Sequence, residues 1–177
     1  MPYIIDADDF YEGNDQLALL REIKRALPDF KITVFTVIGR CSYVWLREIK
    51  EDYSWIDMVP HGLLHETSRE CERWDYAESI HYLKFLEPYD LTKGFKAPGW
   101  QISNDMYQAL KFRKYWVADQ AYNDARRPAD LPAYILDAPN KLHFHIQDVC
   151  GNGLGESLPI ILGLNNNQGF EFIKNVI

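Results

Sequence analysis

Cysteine is scarce in this sequence and poorly spaced for chemistry. The three thiols, Cys41, Cys71 and Cys150, are odd in number and far apart. No C-x-x-C pair exists, which excludes a zinc knuckle, a thiol redox site and a disulfide framework, and fits a reducing compartment. Long apolar runs are also missing: nothing approaches the ~20 residues needed to span a bilayer. Met1-Pro-Tyr-Ile-Ile-Asp6 lacks the basic opening of a signal peptide, so the expected location is cytoplasmic. Basic clusters are absent as well. With 19 Lys+Arg against 26 Asp+Glu, the formal net charge is -7. That sign repels a phosphate backbone, so nucleic acid is not an expected partner and neither is a membrane. There is no internal repeat, no low-complexity tract and no linker. Residues 1–177 are expected to form a single catalytic domain, and nothing in the sequence sets its oligomeric state.

What is present is enough apolar material for a core: 47% hydrophobic residues, 14% of the chain being aromatic. Short β-branched runs alternate with amphipathic segments. Tyr3-Ile4-Ile5 reads as a strand that enters the acidic residues Asp6, Asp8 and Asp9. Asn14 can cap a helix carrying Leu17, Leu20, Ile23 and Leu27 as far as Pro28. Lys31 to Ile38 is the clearest strand, followed by a Ser42-capped helix with Leu46 and Ile49 on its apolar face. Trp55 to Val59 is the next strand, and a longer helix is predicted from Glu70 to Leu86. Further strands are expected at Gly94 to Lys96, Tyr115 to Ala118, Ala133 to Leu136 and Leu142 to Ile146. Leu158 to Leu164 and Phe170 to Ile177 read as closing helical pieces. This α/β order implies a parallel sheet with helical crossovers.

Asp8/Asp9, His61, Lys96, Asp119 and His145 all fall at or just after predicted strand ends. In parallel α/β folds that edge carries the ligand site. Several strands delivering ionisable groups to one rim point to a trimmed, distorted (β/α) barrel. His61-Gly-Leu-Leu-His65 places two imidazoles four residues apart, on one face if the segment is helical. Asp9 is the natural third ligand, and Asp8 beside it is then the base that takes a proton from the attacking water.

These segments resemble the motifs of the polysaccharide deacetylase (NodB-homology) family. Asp6-Ala-Asp8-Asp9-Phe10 is similar to its T-F-D-D-G motif and His61-Gly-Leu-Leu-His65 to its H-[ST]-x-x-H motif. Lys96-Ala-Pro98-Gly99-Trp100 is similar to its R-x-P-[YW]-G motif. The run Leu142-His-Phe-His145-Ile-Gln-Asp148 resembles the late strand that ends in the catalytic histidine. The resemblance implies a NodB-type distorted barrel that removes N-acetyl or related acyl groups from an amino sugar or polysaccharide. It implies one divalent metal ion held by Asp9, His61 and His65: zinc first, with cobalt, nickel, manganese or iron as alternatives. Asp8 is then the base and His145 the acid for the leaving amine. The Gly99 backbone N–H stabilises the oxyanion, and Asp119 positions Lys96. Trp116 is read as core or as a wall of the acyl pocket.

The chain departs from the family at four places. Lys96 replaces the arginine, and a point charge is expected to orient Asp8 without bidentate contact. Gly62 removes the loop-stabilising hydroxyl. Gly99 replaces the aromatic residue, with Trp100 beside it. Phe10 replaces a glycine and is expected to reshape the entrance. His143 competes with His145 for the acid role, because residues two apart on a strand share a face.

Two rival readings remain. The strand followed by Asp6-x-Asp8 also resembles haloacid-dehalogenase-like phosphohydrolases, with Asp6 as nucleophile and Asp8 as acid. The other is a catalytically degenerate saccharide-binding module. Gly151-Asn-Gly153-Leu-Gly155 fails the dinucleotide fingerprint, whose third glycine would fall at Glu156.

Overall fold

The structure, a computed structural model, describes residues 1–120, 125–136, 140–147 and 151–177. Asp148, Val149 and Cys150 lie outside the described residues. The chain runs β1 (Tyr3–Phe10), α1 (Leu17–Ala26), β2 (Ile32–Thr36), α2 (Tyr43–Asp52), β3 (Ile56–Pro60), α3 (Tyr76–Phe85) and β4 (Gly94–Lys96). It continues through α4 (Asn104–Phe112), β5 (Trp116–Asp119), β6 (Ala133–Ile135), β7 (Lys141–His145), α5 (Leu154–Leu162) and β8 (Phe170–Glu171).

Among the described residues, every pairing between these strands is parallel. One sheet has the order β3-β2-β1-β7, with β8 joining the start of β1. A second sheet has the order β4-β5-β6. The barrel expected from the strand pattern is therefore a half-barrel accompanied by a smaller sheet. At one junction β4 is only three residues long, and Thr92 N–H reaches across to Met58 O of β3 just before it begins.

The alternation of side chains sets what faces the interior. Ile4, Phe35, Val59, Trp116, Ala118, Tyr134 and Ile173 form a buried apolar layer drawn from both sheets. Trp116 is thus core. Two residues further along β1 from Ile4 comes Asp6, then Asp8, so the same inward face turns polar toward the strand's C-terminal end. The larger core lies between the two sheets and the helices that cover them. It holds Phe10, Leu20, Ile23, Phe30, Leu46 and Ile49, each side chain contributing roughly 1.5–3 kcal/mol through burial.

Several local expectations are corrected. Asn14 does not cap α1: Asp15 Oδ1 accepts from Leu17 N–H, while Asn14 is turned toward β1. The helix predicted from Glu70 begins instead at Tyr76, because Asp75 and Glu78 form a reciprocal capping box there, and Glu70 opens a separate 3-10 turn, Glu70–Glu72. α4 was not anticipated, although Ser103 caps it by accepting from Met106 N–H. The final segment is β8 followed by a 3-10 turn, since Phe170 pairs with Tyr3 of β1.

Candidate metal centre

Consecutive strand residues normally point to opposite faces, so Asp8 and Asp9 should not share a site. A bulge allows it. Ala7 pairs with Val34 and Phe10 with Thr36, so two residues of β1 face one of β2. Asp9 takes the left-handed conformation (φ 66), and Asn14 Nδ2 donates to its carbonyl at 2.7 Å. Aspartate tolerates that conformation better than bulky residues do.

His61 and His65 come together through a loop, not through a helix. Gly62 and His65 both have positive φ (66 and 50), which no helical turn allows. Only glycine fits at 62, where a Cβ would stand 2.7 Å from Pro98 Cγ and 2.9 Å from Glu70 Oε2. Asp9 Oδ1 lies 3.8 Å from His61 Nε2 and 3.4 Å from His65 Nε2. His61 Nδ1 is 3.0 Å from Lys96 O, so it donates there and leaves the Nε2 lone pair toward Asp9. Burial pushes the His61 pKa down to about 4 despite the nearby carboxylate of Asp8, keeping the ring neutral at pH 7.

Asp8 sits beside this group, 6% exposed. Lys96 Nζ donates to both of its oxygens at 2.6 Å, correcting the expectation that a lysine contacts one only. The compact ammonium is equidistant from the two. Lys96 is itself 1% exposed, with its charge set 4.0 Å from the Trp100 ring centroid and 4.9 Å from that of Phe35. Burial raises the Asp8 pKa, but the Lys96 ammonium, through its charge and its hydrogen bonds, outweighs it and holds the carboxyl well below the usual carboxylate range.

The two β7 histidines have different surroundings. His143 Nδ1 is 2.5 Å from Asp6 Oδ1, and its Nε2 is 3.3 Å from Lys96 Nζ. A neutral ring therefore donates to Asp6 and accepts from Lys96. His145 pairs in register with Asp8, its Nε2 standing 3.9 Å from Asp8 Oδ2. Its Nδ1 is buried with no partner among the described residues, and burial lowers its pKa.

Asp119 does not meet Lys96. It accepts from the Tyr107 hydroxyl at 2.5 Å and from Arg127 at 3.1 Å, at the C-terminal end of the smaller sheet's central strand. Phe10 is fully buried against Trp45 and shapes no entrance. Gly99 has φ 56, with the Ser68 side chain and carbonyl too close to admit a Cβ. His81 is exposed on α3.

Sequence reasoning missed Glu70, whose carboxylate accepts from the main chain of the His61–His65 loop, and Asn14 as the support of Asp9. It also missed Asp6 as the partner of His143. Spacing offered no signal for Glu70, which lay inside an apparent helix.

Asp9, His61 and His65 offer one carboxylate oxygen and two imidazole nitrogens, all within 4.8 Å of one another. This donor set, with the tautomer of His61 already fixed, fits a divalent transition ion that keeps an open position. A second cluster, Asp8, His143 and His145, meets the same distance limit, but the Lys96 ammonium already stands against it.

No protein-family model and no curated protein matches the sequence. The fold does match solved structures. A family 4 acetyl xylan esterase from Clostridium thermocellum, in complex with a cobalt ion, superposes with a TM-score of 0.61 at 12% identity, over 96% of this chain and 86% of that one. A CE4 family pseudoenzyme from Bacillus anthracis gives 0.61 at 15% identity, over 98% and 64%. The chitin deacetylase of Colletotrichum lindemuthianum gives 0.57 at 16% identity, over 96% and 83%. The structural neighbours are thus CE4 family proteins, and this chain shares their fold.

Proposed function

We propose that this chain, built on the CE4 fold, is a metal-dependent hydrolase acting on a carbohydrate. Its reaction removes N-acetyl or related acyl groups from an amino sugar or polysaccharide. The observation that carries the reading is the meeting of Asp9, His61 and His65 at one point, directly beside a buried Asp8 held ionised by Lys96.

Asp9, His61 and His65 would hold the ion, zinc first, with cobalt, nickel, manganese or iron as alternatives. A divalent ion bound there acidifies a water and withdraws charge from the acyl carbonyl oxygen. Asp8, with its oxygens fixed by Lys96, takes the proton from the attacking water. His145 is proposed as the acid for the leaving amine, because His143 is engaged on both nitrogens by Asp6 and Lys96. The Gly99 backbone N–H is assigned to the oxyanion. Asp119, held by Tyr107 and Arg127, is assigned no step of the chemistry.

The phosphohydrolase reading is disfavoured. Asp6 is 0% exposed and bonded to His143, so it is not placed to attack a phosphate. A saccharide-binding module without turnover is the second reading. It is favoured by His145 Nδ1, which has no partner among the described residues, and by the pseudoenzyme among the structures of this fold.

The test is the metal content of the purified protein beside His61→Ala/His65→Ala, followed by acetate release from N-acetylated and O-acetylated oligosaccharides. One ion per chain, lost in the double variant, with acetate released by the wild type, supports the hydrolase. One ion and glycan binding without acetate supports the module. No ion after incubation with zinc, cobalt or manganese refutes both the metal site and the hydrolase.

A further inference from the structure

The loop that carries His61 and His65 is built from backbone whose polar groups are satisfied by residues the reaction does not use. Gly62 O accepts from the Tyr82 hydroxyl at 2.7 Å. Leu63 O accepts from Gly39 N–H at 2.8 Å, and Leu64 O from Arg40 Nε at 2.7 Å. The three successive amides of residues 63 to 65 all turn inward onto one side chain. Glu70 Oε1 accepts from Leu63 N–H at 2.9 Å and Leu64 N–H at 3.1 Å, and its Oε2 from His65 N–H at 2.7 Å. Three consecutive N–H groups converging on a carboxylate form an anion nest filled from within the chain.

That arrangement accounts for the conformation of His65. A histidine at φ 50 costs free energy on the order of 1–3 kcal/mol, and such a residue persists only where the surroundings over-determine it. Charge-assisted hydrogen bonds to Glu70 supply that constraint. The missing side chain at position 62 belongs to the same device, because a Cβ there would stand 2.9 Å from Glu70 Oε2. Where the family resemblance leads one to expect a hydroxyl at 62, this chain has an empty position and a carboxylate eight residues later.

We infer that Glu70 is a positioning residue for metal binding: its carboxylate fixes the 63–65 backbone so that the His65 imidazole reaches the point shared by Asp9 and His61. Glu70 contacts neither the ion nor substrate. The inference rests on the proposed metal site and adds to it a residue outside the ligand set.

The experiment compares Glu70→Gln, Glu70→Asp and Glu72→Gln with the wild type. Co(II) and Zn(II) affinity is measured by chelator competition, the visible Co(II) spectrum is recorded, and thermal unfolding of the metal-free proteins is followed. Gln places an NH2 against a backbone N–H whichever way it turns, and Asp keeps the charge but loses the reach. Both are expected to weaken Co(II) and Zn(II) binding about 10- to 100-fold and to alter the Co(II) bands. Metal-free unfolding should shift by only a few degrees. Glu72→Gln removes the same charge from a side chain paired with Arg69 in the same turn, and should leave affinity within twofold.

Wild-type affinity in Glu70→Gln overturns the inference while leaving the metal site standing. Wild-type affinity in Glu70→Asp alone would mean that only the charge matters, and overturns it too. So does an affinity loss that accompanies loss of the metal-free fold, which would make Glu70 merely structural. A wild-type protein that binds neither ion overturns the inference together with the functional reading.

Discussion

Lys96 and Asp8 form a buried ion pair in which one ammonium lies 2.6 Å from both carboxylate oxygens, with the lysine 1% and the aspartate 6% exposed. Neither partner can be removed alone without stranding the other away from water. Lys96→Met is expected to cost about 3–5 kcal/mol in the metal-free protein, measured by urea denaturation. Asp8→Asn/Lys96→Met should recover most of that loss, because no charge is then left uncompensated. A single variant costing under about 1 kcal/mol would show that the pair is not buried as described.

The two histidines of β7 should separate by the kind of defect they cause. His143→Gln removes the link between Asp6 and Lys96, and is expected to destabilise by about 1–3 kcal/mol because the buried Asp6 carboxylate keeps the Tyr134 hydroxyl at 3.5 Å but loses its short bond. His145→Gln should leave stability near that of the wild type and lower acetate release about 10²- to 10⁴-fold. The reverse pattern would transfer the acid role to His143.

Restoring a hydroxyl at the family's usual position should do harm. Gly62→Ser places a Cβ against Pro98 and Glu70 on a backbone at φ 66. The conformation alone costs roughly 1–2 kcal/mol, and the contacts add to it. Lower thermal stability and weaker Co(II) binding are the expected outcomes. A Gly62→Ser protein that gains on both counts would contradict the packing of this loop.

The pH dependence of the metal-free protein follows from His61. Its pKa is about 4 in the fold and 6.5 in the unfolded chain, so between those values the unfolded state binds more protons. The stabilisation is complete above pH 6.5 and is lost as the pH falls through 6.5 toward 4. Asp8, whose pKa is depressed, keeps its contribution above the ordinary carboxylate value and loses it as the pH falls through and below that value, so its window follows that of His61. Denaturation at pH 7.5 and pH 5, repeated with His61→Gln, measures the first window, which the variant should flatten.

Much of the frame was legible along the chain because it depends on local periodicity. β2 reads as Ile-Thr-Val-Phe-Thr, α2 starts at its Ser42 cap, and β3 stops at Pro60, each for a reason contained within a few residues. Where local rules conflicted with distant partners, the reading failed. The segment after His65 carries helical periodicity, yet Glu70 is committed to amides five to seven residues behind it, and the helix waits for the Asp75–Glu78 box. α4 escaped notice although Ser103 marks its start and its face of Met106, Tyr107, Ala109 and Leu110 is fully buried.

By itself the sequence determined the parallel α/β order and the inventory of groups at the strand ends: Asp8, Asp9, His61, His65, Lys96, His143 and His145. Strand alternation and residue chemistry are local properties, and they can be read without knowing any neighbour. Only the tertiary structure decided how those groups are used. A bulge in β1 turns two adjacent aspartates onto one face, and a non-helical loop aims His65 back at Asp9. The same packing gives Lys96 to Asp8 and not to Asp119, and ties His143 to Asp6 across the β1–β7 pairing. Each of these choices is a competition between partners brought close by packing, and their separations in the sequence, 12 residues for Tyr107 and Asp119 but 137 for Asp6 and His143, carry no record of which partner wins.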